Sequence, residues 1–193
     1  MELAFEQNIN RRNKIHPHKF ALWVGCASLT MMFVSLSSAY IVRQAGGNWL
    51  EFALPSVFVY STITILLSSL TLHGSFIFFK KGKEMAYKMM LLLSFALGIL
   101  FIIFQYQGWV AMEQMGVPFA LHPSGDFVYV ISWIHAAHVI GGIAILSVAL
   151  IHAFGLKFKV TEKRKLRFEL SLTYWHFVDL LWVYLFFFLT IYR

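Results

Sequence analysis

Long apolar runs, not alternation, organise this chain. From Phe20 to Val42, Leu54 to Phe79, Tyr87 to Val110, Phe127 to Leu156 and Phe168 to Tyr192 the sequence is predominantly apolar. Each run reaches or exceeds the about 20 residues that an α-helix needs to cross a bilayer. Backbone polar groups in lipid must be bonded within the spanning structure, which leaves helices or a closed barrel. Barrel strands alternate apolar and polar positions over about ten residues, and the stretch from Leu91 to Phe104, interrupted only by Ser94 and Gly98, does not. The pattern predicts an all-α membrane protein. Residues 1–193 form one domain, a bundle of five transmembrane helices over roughly 20–42, 54–79, 87–110, 127–156 and 168–192, after a tail of residues 1–19. The longest connection, Ala111–Asp126, holds Gly116, Pro118 and Pro123 and reads as a compact cap, with no room for an extramembrane domain.

Charge adds an orientation. Of the 16 Lys and Arg, fourteen fall in the tail (Arg11, Arg12, Lys14, Lys19), the second connection (Lys80, Lys81, Lys83, Lys88) and the fourth (Lys157, Lys159, Lys163, Arg164, Lys165, Arg167). Only Arg43 and Arg193 fall on the other side. That alternation predicts a cytoplasmic N-terminus and a periplasmic C-terminus in a bacterial inner membrane. Met1–Ile15 is polar and lacks an apolar core, so no cleavable signal peptide is expected. The net charge of +7 therefore reads as topology. Short basic connections beside spans meet anionic headgroups, and nucleic acid is not expected as a partner.

Composition narrows the class. With 59% apolar and 13% charged residues, the chain departs from a soluble domain, nearer half apolar and a quarter charged. One cysteine, Cys26, excludes a disulfide within the chain and a cysteine-based zinc site.

Ionisable side chains inside spans are costly and mark candidate sites. Asp179 is the only acid deep within a span; His176 precedes it by three residues and Glu169 precedes His176 by seven. With Thr173 they make a polar stripe on the fifth helix, flanked by Trp175 and Trp182 at the same seven-residue period. The stripe suits proton transfer or metal ligation; equally, it suits a hydrogen-bonded contact that fixes the helix against neighbours or a lipid headgroup. His135 and His138 on the fourth span admit the same two readings, with Gly141 and Gly142 allowing close helix approach. His135 and His152, about 25 Å apart along a helix, could serve two b-type haems, but only His176 and His73 remain in other spans to pair with them. Ser35, Ser37 and Ser38, with Ser68, Ser69 and Thr71, read as helix-contact hydroxyls. No serine-elbow or zinc-protease motif is present. We expect no catalytic, cofactor or metal ligand in the chain, and a buried polar or lipid-facing interface at His135, His138, His152, Glu169, Trp175, His176 and Asp179. Replacing Asp179 with alanine then weakens assembly by roughly 1–3 kcal/mol if it removes a satisfied buried partner.

One string is more specific. Tyr174-Trp175-His176-Phe177-Val178-Asp179-Leu180-Leu181-Trp182 closely resembles the last helix of subunit III of haem–copper cytochrome c oxidases, and Glu169 matches that family's Glu seven residues before the His. His135-Ala136-Ala137-His138-Val139, followed by Gly141-Gly142, is similar to the family's H-G-x-H-V. Leu97, Gly98, Phe101, Gln105 and Trp109 resemble its third-span pattern, and Leu22-Trp23, Ala27-Ser28 and Ala39-Tyr40 its first. Ser68, Ser69 and Thr71 match a hydroxyl cluster of its second span. The likeness is to the short, five-helix bacterial form. Two family acids are absent: their positions hold Leu29 and Gly108, which argues against a carbodiimide-reactive or proton-buffering site. His152 stands near the place of a family arginine.

The resemblance implies a non-catalytic subunit of a respiratory terminal oxidase. Haem and copper are expected in partner subunits I and II, with bound phospholipid in this chain. Assembly and sustained proton uptake are the implied roles, and a larger respiratory supercomplex is a further assembly it admits. The competing reading is a dihaem b-type anchor exchanging electrons with quinone.

Overall fold

The computed structural model describes residues 16–192. The tail charges Arg11, Arg12 and Lys14, the reading of Met1–Ile15 and the terminal Arg193 lie outside them. Five helices carry the fold: α1 Pro17–Ala45, α2 Val57–Lys80, α3 Glu84–Gln114, α4 Pro123–Gly155 and α5 Glu162–Ile191. All five are long and apolar enough to cross a membrane, and the described residues contain no strand.

The helices do not stop where the apolar runs stop. The third extends in both directions, and Pro123 opens α4 instead of ending a cap, so the expected connection Ala111–Asp126 shrinks to 115–122. Hydropathy senses only the hydrocarbon-deep part of a helix, whereas hydrogen bonding continues into the interface. Proline is tolerated at the first helical position because its missing N–H has no partner there anyway. Asp126 lies in the first turn of α4, where its Oδ1 accepts from the Ala120 N–H at 2.6 Å. At the other end of α4 the chain turns through 156–161, and Thr161 caps α5 by accepting from the Arg164 N–H.

Between α2 and α3 only Lys81, Gly82 and Lys83 intervene, and Gly82 has φ +71. That left-handed conformation comes without steric cost only in glycine. So short a turn makes α2 and α3 an antiparallel hairpin. α5 packs against α1, α2 and α4, while α4 also meets α1 and α3. Trp175, Trp182 and Leu185 of α5, Phe33 of α1, Phe101 of α3 and Leu146 of α4 are fully buried and form the centre. The ends bearing Lys80, Glu84, Leu156 and Glu162 lie together because the connections are short; we refer to this as the basic end.

Candidate functional site

In α2, Ser61, Ser68 and Ser75 recur every seven residues and are fully buried. Two helical turns bring each back to the same face. Ser68 Oγ donates to the Ser94 carbonyl and Ser75 Oγ to the Tyr87 carbonyl, both at 3.0 Å, while Ser61 Oγ accepts from Gln105 Nε2 at 3.1 Å. The Thr71 and Ser94 hydroxyls meet at 2.7 Å. Small hydroxyl side chains thus let α2 and α3 approach closely and bond across the contact, which is how helices adhere where lipid removes the hydrophobic drive.

The tryptophans of α5 close the other side of α2. Trp175 Nε1 donates to Ser68 Oγ at 3.2 Å and Trp182 Nε1 to Thr62 Oγ1 at 3.0 Å. The Trp175 ring fits only because two glycines flank it. A Cβ at Gly98 would stand 2.9 Å from its Cη2, and one at Gly142 2.8 Å from its Cζ3. Gly142 therefore serves close packing as expected, by admitting an indole ring. Tyr174 adds an α4–α5 bond, donating to the His138 carbonyl at 3.0 Å.

The expected site residues do not converge on one point. Glu169 pairs with Lys19 of α1 at 2.7 Å, with side chains 28% and 41% exposed. Thr173 donates to the Glu169 carbonyl of its own helix. His176 turns to α2, not to α4: its Nδ1 meets Ser69 Oγ, and its Nε2 meets His73 Nδ1 at 3.4 Å. Asp179 is 3% exposed, and its carboxyl lies beside the Ser69 hydroxyl without closing a full hydrogen-bond geometry to any described residue. His135 is fully buried among the rings of Phe33, Phe101 and Trp182, and its nitrogens are unpartnered among the described residues. His138 Nδ1 bonds the Ile134 carbonyl at 2.7 Å within α4. His152 is exposed at the basic end.

His152 borders a cavity of about 460 Å³ between α4 and α5. Phe79, Tyr87, Val148 and Phe168 contribute to its walls, and Arg164 and Arg167 stand on its lining with His152. The Arg164 guanidinium is tied to the Lys157 and Lys159 carbonyls at 2.9 and 3.4 Å. No three His, Cys, Asp or Glu side chains among the described residues group as metal ligands would.

Ser61, Ser75 and Thr62 were not singled out by sequence, and Gln105 entered only through the third-span resemblance, although the seven-residue spacing of Ser61, Ser68 and Ser75 was there to find. Of the two missing acids, Gly108 has a structural reason. A Cβ there would stand 2.9 Å from the Phe58 ring, which leaves no space for a longer side chain.

A family model described as cytochrome c oxidase subunit III matches residues 20–193, through all five helices. A probable quinol oxidase subunit 3 of Staphylococcus saprophyticus is 26% identical over 175 residues, covering 88% of this chain and 86% of the relative. A cytochrome c oxidase subunit 3 of Corynebacterium diphtheriae is 26% identical over 199 residues, covering 99% and 95%. The cytochrome c oxidase subunit 3 of Yarrowia lipolytica is 31% identical over 150 residues, 74% of this chain but only 53% of that longer protein.

Proposed function

The chain belongs to the cytochrome c oxidase subunit III family, a subunit of haem–copper oxidases, and from that premise we propose that it is a structural and lipid-binding subunit of a respiratory terminal oxidase. It sits beside subunits I and II in a bacterial inner membrane, with its basic end in the cytoplasm. Oxygen reduction belongs to the haem and copper of those partners; this chain supports assembly and sustained proton uptake. The observation that carries this reading is where its in-span polar groups go. The Ser61, Ser68, Thr62 and Tyr174 hydroxyls, with both α5 indoles, engage one another or backbone across helix contacts.

Lipid binding has its own support. The cavity between α4 and α5 joins aromatic and aliphatic walls to Arg164, Arg167 and His152 at the basic end. Acyl chains fit the former. Phosphate suits the latter, because guanidinium presents paired N–H donors to its oxygens. Arg167 is the side chain to remove, since Arg164 also holds the loop carbonyls.

The test is native isolation through a tag on this chain in mild detergent, with companions identified by mass spectrometry and phospholipid by phosphorus analysis. Subunits I and II and retained phospholipid are expected, with less of the latter in Arg167→Ala. Isolation without any haem–copper subunit contradicts the reading.

A further inference from the structure

Three polar side chains at the α2–α5 seam form a bonded row that runs outward. Ser69 Oγ meets His176 Nδ1, and His176 Nε2 meets His73 Nδ1. Thr62 and Thr64, on the same helix, donate to carbonyls four residues back; Ser69 makes no such bond and lies between His176 Nδ1 and the Asp179 carboxyl. His176 uses both ring nitrogens inside the row, whereas His73 uses only Nδ1. A neutral imidazole has one donor and one acceptor nitrogen, and either tautomer leaves His73 Nε2 with hydrogen-bonding capacity to fill. The row ends in that nitrogen, on a side chain that is exposed at the surface of the bundle.

That surface is otherwise apolar. Leu66, Leu70 and Ile77 of α2 are exposed, as is Leu180, one turn beyond His176 on α5. His73 precedes Lys80 by seven residues, about 10 Å along the helix from the basic end. At that depth acyl chains offer no hydrogen-bond partner, and an unmet polar group in hydrocarbon is costly. The phosphate and ester oxygens of lipid lie out with the lysines.

We propose that the α2–α5 seam at His73 is a docking surface for a transmembrane helix of a partner subunit, one that presents a hydrogen-bonding side chain to His73 Nε2. The apolar collar of Leu66, Leu70 and Leu180 packs around that bond and keeps it dry. The inference rests on the oxidase reading above, and it adds which face docks and what the partner must carry.

The test uses the assembled complex. With His73→p-benzoylphenylalanine, illumination should join this chain to a membrane-spanning peptide of another oxidase subunit, whereas the same probe at Ile99, exposed on α3, should not join that peptide. His73→Phe should be lost from the complex about three- to tenfold faster on detergent dilution, as one hydrogen bond predicts. His73→Gln, which keeps both a donor and an acceptor, should restore retention, and the amount of each variant in the membrane reports folding separately. Adducts to phospholipid alone, or His73→Phe retained like wild type, overturn the docking surface while the core subunits still co-purify. Absence of core subunits from the wild-type preparation overturns both this and the oxidase reading.

Discussion

Trp175 donates its indole N–H to Ser68 Oγ at 3.2 Å, and the Ser68 hydroxyl passes its own proton to the Ser94 carbonyl. One side chain thus joins α5, α2 and α3 at a point with no exposure to solvent or lipid.

Ser68→Ala strands the indole N–H and removes both bonds. An unmet buried donor costs about 1–3 kcal/mol, but bonds between membrane helices measure nearer 0.6. We expect a loss of about 1–2 kcal/mol, read as a lower thermal-inactivation temperature of the complex. Adding Trp175→Phe should cost less in the Ser68→Ala background than alone, because the donor is already stranded.

Gly98→Val should destabilise by about 1–3 kcal/mol through overpacking, because Cβ alone already reaches within 2.9 Å of the Trp175 ring. Gly74 is the matched control. A Cβ there meets nothing within 4 Å, so Gly74→Ala should be neutral or stabilising through helix propensity. The same thermal assay separates the two.

The Lys19–Glu169 pair is short but partly exposed at the basic end. Exposed pairs contribute about 0–1 kcal/mol and weaken with salt. Glu169→Gln should therefore lower stability by about 0.5 kcal/mol at low ionic strength, and the difference should vanish in high salt.

The sequence-based expectation of a roughly 1–3 kcal/mol loss in Asp179→Ala holds only if that change removes a satisfied buried partner. The carboxyl lies beside the Ser69 hydroxyl without closing a full hydrogen-bond geometry, so Asp179→Asn keeps the volume and an oxygen able to accept from that hydroxyl. Its thermal stability should stay within about 1 kcal/mol of wild type. A larger loss would show that the carboxyl is bonded inside this fold, with the neighbouring Ser69 hydroxyl as the first candidate.

Much of the architecture is legible in the one-dimensional pattern, because a membrane span is a property of a contiguous segment. Five apolar runs become five helices. The ends were less legible: α3 and α4 continue through Glu84, Gln114 and Pro123, where hydropathy falls but helical bonding persists. Trp175 and Trp182 were visible as a ridge of seven-residue period, and both are buried. Their acceptors were not, since Ser68 and Thr62 become partners only once α5 lies against α2. The same holds for His176. Its spacing from Glu169 and Asp179 suggests one stripe, yet Glu169 meets α1 and His176 meets α2. Side chains within one face of a helix diverge when that helix has several neighbours, and sequence spacing carries no record of neighbour order. Gly108 shows a further limit: a missing acid looks like a lost function until the Phe58 ring is seen against that position.

The central claim is that the imidazole, carboxyl and hydroxyl groups of these spans hold helices, lipid and partners together and carry no redox centre. Its most direct test is the haem and copper content of the oxidase before and after this chain is stripped from it. The account predicts that every haem and copper stays with the remaining subunits, with assembly and endurance during turnover impaired. Loss of haem in proportion to this chain, with a b-type reduced-minus-oxidised spectrum in the stripped fraction, would contradict it.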